Sequence, residues 1–115
     1  MHEASLAANV LKIVSRAAAG KESRVRQITV SVGQLAGVMP DALLFAFEAL
    51  KKQTLLTSAT LKLEKEPVTA CCEDCGHEYQ PQAFPYTCPI CQSHVFRITN
   101  GEAVTVKRME IKKGD

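Results

Sequence analysis

Two short stretches, Cys-Glu-Asp-Cys at residues 72–75 and Cys-Pro-Ile-Cys at residues 88–91, indicate more about the fold than any other part of the chain. Within each stretch two residues separate the cysteines, so both thiolates of a pair turn inward from one tight loop. Two such loops facing each other place four sulfurs at the corners of a tetrahedron, the geometry that Zn²⁺ accepts most readily. The sequence therefore predicts a zinc site formed by Cys72, Cys75, Cys88 and Cys91.

The length and composition predict a small protein of the cytoplasm. With 115 residues, 46% of them hydrophobic, the chain forms one domain or one domain with a small insert, and its core is mainly aliphatic because Trp is absent. No apolar run approaches the roughly 20 residues that span a bilayer, and the N-terminus lacks the layout of a signal peptide. We therefore expect no membrane partner, and reduced thiols that hold metal instead of forming disulfides.

The charge of the chain predicts no nucleic-acid partner. The formal net charge is +2, but four thiolates and one Zn²⁺ bring the metal-loaded protein close to zero. A protein near neutrality has little electrostatic attraction to a phosphate backbone.

Hydrophobic periodicity predicts two helices and three strands. Residues 4–19 repeat at three- and four-residue steps, and a second helix is expected to begin at Pro40. Residues 24–35 and 59–66 alternate, and the first of these strands is expected to bury one face only. The last strand, Val104 to Ile111, changes parity partway, which predicts a bulge near residues 107–108.

The first helix carries an apolar stripe that is expected to face the core. Its principal members recur at helical spacing, and they are Leu6, Val10, Ile13 and Ala17, with Leu11, Val14 and Ala18 widening the stripe.

The order of these elements predicts an α+β fold. Two helices pack on a three-stranded sheet, and a four-cysteine, zinc-ribbon-like loop is inserted before the last strand. The predicted limits are residues 1–67 with 95–115 for the α/β domain and residues 68–94 for the zinc-binding domain.

The N-terminus offers a second metal site. Met1 is expected to be retained because His2 is too large for removal of the initiator, so an α-amine stands one residue before an imidazole. The amine, the amide nitrogen of His2 and its Nδ1 form fused chelate rings, and the amide or the carboxylate of Glu3 completes a planar set. Planar sites rich in nitrogen suit Ni(II) and Cu(II). Taken alone, a second-position histidine is more often a solvated terminal residue than a ligand.

The arrangement of these motifs along the chain resembles the HypA/HybF family of hydrogenase maturation nickel metallochaperones. Residues 1–3 (Met-His-Glu) open an amphipathic helix, a strand and the Gly33 turn follow, and a second helix begins at Pro40-Asp41 and includes residues 45–48 (Phe-Ala-Phe-Glu). The two cysteine pairs and the final strand complete the match, which extends over essentially the whole chain.

The resemblance implies a metallochaperone and not an enzyme. It implies nickel at Met1, His2 and Glu3, and zinc at the four paired cysteines. It also implies transfer of nickel to the large-subunit precursor of a [NiFe]-hydrogenase, together with a maturation GTPase, and some relatives also serve urease maturation proteins. The expected oligomeric state is a monomer or a weak homodimer.

Four further residues have open roles. Cys71 is either a spare thiol or a competitor of Cys72 for zinc. His77 and His94 either face solvent around the zinc loop or replace a thiolate. Asp41 either stabilises a helix N-terminus or lies near the nickel site.

Two other classes of protein fit the cysteine motif. A zinc-ribbon module that binds nucleic acid or a protein complex would need a basic patch, but no Lys or Arg lies between Cys75 and Cys88. An electron-transfer protein would hold iron in the same four thiolates, and its colour would distinguish it from a zinc protein.

Overall fold

The computed structural model describes residues 3–113. Met1 and His2, on which most of the predicted nickel site depends, lie outside the described residues. Within the described residues neither helix is long and apolar enough to cross a membrane.

The described residues form two helices, a short 3-10 turn and six strands. In chain order these are α1 (Glu3–Ala17), the 3-10 turn (Glu22–Arg24), β1 (Val25–Gly33), α2 (Pro40–Lys51), β2 (Thr60–Glu66), β3 (Thr69–Cys72), β4 (Glu78–Tyr79), β5 (Phe96–Asn100) and β6 (Val104–Ile111).

The strands form two three-stranded sheets, one in the order β2-β1-β6 and one in the order β4-β3-β5. The predicted α+β class, with two helices, a three-stranded sheet and an inserted four-cysteine segment, is confirmed. The second sheet adds detail that the sequence did not predict. Its strands have only 2–5 residues each, which is too short for an alternating pattern to be recognised.

The described residues divide into two compact units. The first contains residues 3–31, 37–64 and 105–113, and the second contains residues 32–36 and 65–104. The domain limits predicted from the sequence, residues 1–67 with 95–115 and residues 68–94, stay a prediction.

Helix α1 buries one side of the expected stripe and exposes the other. Its buried side chains are Ala7, Val10, Leu11 and Val14, whereas Ile13 is 52% exposed. The apolar stripe of α1 is wider than the surface that the fold covers, so packing decides which side turns inward. The expectation that Ile13 and Ala17 face the core is therefore wrong.

The core of the first unit joins both helices to β1. From α2 it receives Leu43 and Phe47, and from β1 it receives Val25, Ile28 and Val30.

Strand β1 is covered on both faces, so the prediction of a single buried face is wrong. Thr29 and Ser31 are buried although they alternate with the apolar positions. Because β1 lies between β2 and β6, the ion pair between Arg108 of β6 and Glu64 of β2, at 2.9 Å, reaches across it. Long side chains of the flanking strands thus help to cover the face of β1 that the helices do not cover.

Two backbone segments of the second unit approach each other closely at Gly33. The amide of Leu35 donates to the carbonyl of Gly101 at 2.8 Å. A β-carbon at residue 33 would lie 2.2 Å from that carbonyl oxygen. The approach therefore needs glycine at this position, which gives the Gly33 turn a structural reason.

We predict that Gly33→Ala destabilises the protein by about 3 kcal/mol, the upper end of the usual cost of overpacking, because the obstructing atoms are backbone. Gly37→Ala is the matched control, because residue 37 has φ +71° but no atom within 4 Å of an added β-carbon. We expect it to cost about 1 kcal/mol, from the left-handed conformation alone. Urea unfolding of the zinc-loaded variants measures both values, and equal costs would contradict the close approach.

Candidate metal centre

The four paired cysteines lie together in the second unit. Their sulfurs are all within 4.8 Å of one another, and no other such group of His, Cys, Asp or Glu occurs among residues 3–113. The shortest distances join one loop to the other, 3.5 Å from Cys72 Sγ to Cys91 Sγ and 3.6 Å from Cys75 Sγ to Cys88 Sγ. The two loops thus face each other, as the spacing predicted.

The first loop is closed by its own backbone. The amide of Cys72 donates to the carbonyl of His77, and the amide of Gly76 donates to the carbonyl of Cys72, both at 2.9 Å. Gly76 has φ +79°, a conformation that glycine adopts without a steric cost.

The second loop repeats this pattern. The amide of Cys88 donates to the carbonyl of Ser93, and the amide of Gln92 donates to the carbonyl of Cys88, both at 2.9 Å. Gln92 has φ +63° and stands four residues after the first cysteine, as Gly76 does in the first loop. The sequence did not predict this turn, because glutamine is not a usual residue at positive φ.

Backbone amides favour the thiolate form of the first cysteine in each loop. The amide of Cys75 lowers the pKa of Cys72 to about 7, against the effect of burial. Burial raises the pKa of Cys88, but the amides of Cys91 and Ile90 outweigh it and the net pKa is lowered.

The second cysteine of each loop behaves in the opposite way. The amide of His77 lowers the pKa of Cys75, but burial and the neighbouring thiol of Cys88 raise it to about 12. The pKa of Cys91 is also raised, because the thiol of Cys72 and burial outweigh the amide of Ser93. Each short sulfur pair therefore joins a cysteine whose pKa is lowered to one whose pKa is raised.

This donor set fits zinc. Four sulfurs at these separations match a tetrahedral site, and the positive charge of a divalent cation favours the thiolate form of all four cysteines. With four protein ligands the metal has no open position, which is typical of a structural site.

Tyr79 packs in the same core as Cys72 and Cys88. It is 8% exposed, and its hydroxyl has no hydrogen-bond partner among the described residues. Burial, and then the negative charge of the nearby thiolates, raises the pKa of Tyr79. The phenol therefore stays neutral and adds no negative charge beside the sulfurs. A lone tyrosine gives no sequence signal for this role.

Cys71 lies outside the sulfur cluster. In β3 it pairs with Glu78 of β4 and Arg97 of β5, and because side chains alternate along a strand it points away from the face that carries Cys72. Its Sγ lies 3.6 Å from the carbonyl oxygen of Gly76. This placement favours the interpretation of Cys71 as a spare thiol.

Both histidines of the second unit are exposed and neither belongs to the cluster. His77 stacks on Tyr79, with the ring centroids 6.4 Å apart. His94 Nδ1 lies 3.2 Å from both Thr87 Oγ1 and the carbonyl oxygen of Tyr86. The placement of both rings is that expected of residues around the zinc loop that face solvent.

The third residue of the predicted nickel site connects the beginnings of the two helices. Glu3 begins α1, and its Oε2 accepts a hydrogen bond of 3.0 Å from the amide of Met39. Met39 directly precedes α2, and exposed Asp41 lies in the first turn of that helix. The segment next to His2 is thus held against the start of α2.

We predict that Cys72→Ser and Cys71→Ser differ sharply in zinc binding. Loss of Cys72 removes one of four sulfurs, and we expect affinity to fall by more than about 100-fold, because even the loss of a residue that supports a ligand costs 10–100-fold. Cys71→Ser leaves the cluster intact and should bind one zinc as tightly as the wild type. Competition with a chromogenic chelator measures both affinities, and equal retention by the two variants would contradict the geometry.

The family comparison covers nearly the whole chain. The model of the family described as "Hydrogenase/urease nickel incorporation, metallochaperone, hypA" matches residues 1–111. The hydrogenase maturation factor HypA of Geobacter metallireducens is 38% identical over 112 residues, which cover 97% of this chain and all of the relative. HypA of a Picosynechococcus strain is 35% identical and covers 96% of this chain and 99% of its own.

Solved structures show the same fold. The solution structure of the nickel metallochaperone HypA from Helicobacter pylori matches with a TM-score of 0.72 and 25% identity, over 96% of this chain and 97% of its own. A second solution structure of a HypA protein matches with a TM-score of 0.77 and 24% identity, over 97% of each chain. The described fold, the sulfur cluster and the match over residues 1–111 therefore lead to one conclusion, that this chain belongs to the HypA family of nickel metallochaperones of hydrogenase maturation.

Proposed function

We propose that the chain binds Ni(II) through Met1, His2 and Glu3 and transfers it to the large-subunit precursor of a [NiFe]-hydrogenase. The observation that carries the proposal is the position of Glu3. It follows Met1-His2 directly, begins α1, and is tied to Met39 at the start of α2. A chelate built on the two preceding residues would therefore be attached to a fixed segment of the fold.

The hydrogen bond of Glu3 favours one ligand set among those open from the sequence. Because its Oε2 is engaged by Met39, we favour the amide nitrogen of Glu3 as the fourth donor over the carboxylate. Nickel would then be held by the α-amine, two amide nitrogens and the imidazole of His2. Such planar nitrogen sites suit Ni(II) and select against cations that prefer oxygen ligands.

This ligand set would make nickel binding depend on pH. The α-amine and the imidazole have ordinary pKa values of about 7.7–8.0 and 6.5, and metal binding requires both to be deprotonated. The site would load near neutral pH and release nickel in acid. An open terminal chelate also permits transfer by exchange of one ligand at a time with a partner site.

We propose that Cys72, Cys75, Cys88 and Cys91 hold a structural zinc ion. The support is their mutual distance within 4.8 Å and the paired turns that present them. In small domains such a site contributes on the order of 10 kcal/mol to folding. A saturated zinc site offers no position for a substrate, so we infer that the chain acts as a carrier and not as an enzyme.

The proposed partners are a GTPase of the maturation pathway, the hydrogenase precursor and, in some settings, urease maturation proteins. The family description supports both the hydrogenase and the urease route. We place the protein in the cytoplasm, where its five cysteines stay reduced.

We predict that zinc-loaded protein with its native N-terminus binds one Ni(II) per chain in a calorimetric titration. His2→Ala should weaken binding by about 100-fold or more, which corresponds to about 2.7 kcal/mol, because the imidazole and its chelate ring are lost. Two extra residues before Met1 should have a similar effect, because the α-amine is moved away from His2.

His77→Ala is the matched control, since His77 is an exposed histidine outside the predicted chelate, and it should bind nickel as the wild type does. Nickel binding that survives both N-terminal changes but is lost in His77→Ala would contradict the proposal and move the metal to the second unit.

A further inference from the structure

A groove runs between α1 and β6 in the first unit. It has a volume of about 380 Å³ and is lined by Ile13 and Ala17 of α1 and by residues 106–109 of β6. The metal centre and the proposed nickel site do not use these residues.

The groove follows the outer edge of β6. This strand is at one end of the order β2-β1-β6, so one of its edges presents backbone N–H and C=O groups without a neighbouring strand in that sheet. Successive side chains of a strand point to opposite faces. A groove lined by four consecutive residues of β6 therefore lies along the edge of the strand and not on a single face.

Apolar side chains are exposed along this groove. Ile13 is 52% exposed and Ile111, at the end of β6, is 36% exposed. Partly buried Val106 and Met109 line the groove on the strand side. An added strand would remove this apolar surface from water, which supplies a driving force for binding.

The charged residues around the groove indicate the charge of the partner. The first unit contains twelve Lys and Arg against six Asp and Glu among its described residues, an excess of six positive charges. Arg16, one helical turn after Ile13, and Lys107, in β6, are exposed. Among residues 3–113 the ion pairs are Lys51 with Glu48, Arg97 with Glu73 and Arg108 with Glu64, so both cations are available to an incoming carboxylate.

Basic residues on an edge strand also oppose pairing between two copies of the same chain. A second β6 would bring its own Lys107 to the groove, whereas an acidic strand would neutralise this charge. Charge complementarity therefore favours a partner of opposite charge over a second copy.

We propose that the outer edge of β6, together with α1, binds an extended segment of a partner protein in which apolar and acidic side chains alternate. The segment adds a strand to the sheet, its backbone pairs with β6, its apolar side chains cover Ile13, and its carboxylates pair with Lys107. The proposal does not depend on the nickel ligands and stands or falls separately from them.

The test uses two capped peptides of 8 residues, the length of β6. Glu and Val alternate in the first peptide, and Lys and Val alternate in the second. Each is titrated into zinc-loaded, ¹⁵N-labelled protein, and backbone amide shifts are followed. We expect the acidic peptide alone to bind, with shifts confined to residues 13–17 and 104–111. Binding should weaken as salt is raised, because exposed charges are screened.

Lys107→Glu is the test variant, and Lys62→Glu is its matched control because Lys62 is exposed on β2, the opposite edge of the same sheet. Lys107→Glu should weaken binding by about tenfold or more, which corresponds to about 1.4 kcal/mol, whereas Lys62→Glu should leave it near the wild-type value. Any of four results would overturn the proposal. They are equal binding of both peptides, shifts at β2, an equal effect of the two variants, and a dimer of the free protein that pairs along β6.

Discussion

The pairing of sulfurs across the two cysteine loops is the interaction on which the second unit depends. Its core consists of Ala70, Cys72, Tyr79 and Cys88, with Phe96 and Ile98 partly buried against it. So few apolar side chains bury too little surface to hold a unit of this size, because small domains need a metal or crosslinks in addition to their cores. Two of the four proposed zinc ligands, Cys72 and Cys88, are therefore also core residues, and loss of metal would weaken the core of this unit.

The two cysteine loops share one backbone arrangement. Each turns its backbone back at the position four residues after the first cysteine, at Gly76 in one loop and at Gln92 in the other, and both positions have positive φ. Amides within each loop lower the pKa of its first cysteine, whereas burial and neighbouring thiols raise the pKa of its second cysteine. A divalent cation is what such a set of four thiols needs to become a set of four thiolates.

The first unit is stabilised differently, and this difference suits a carrier of metal. Apolar side chains of α1, α2 and β1 form its core, so its stability comes from apolar burial. The contact between Glu3 and Met39 attaches the beginning of α1 to the beginning of α2. The proposed cargo site at the N-terminus would then be filled and emptied without unfolding the unit that carries it, whereas the proposed zinc of the second unit would stay in place.

The sequence by itself determined which four cysteines cluster, the α+β class and the start of α2 at Pro40. Cysteine spacing, hydrophobic period and proline geometry each act over a few residues. Tertiary structure alone decided which stripe of α1 is buried, that both faces of β1 are covered, and that Cys71 points away from the cluster. It also decided that residue 92 adopts positive φ, although it is not glycine. The physical reason is that these features depend on groups brought together from distant parts of the chain. An amphipathic pattern indicates that one face of an element can be buried, but only the packing of the neighbouring elements decides which face is buried.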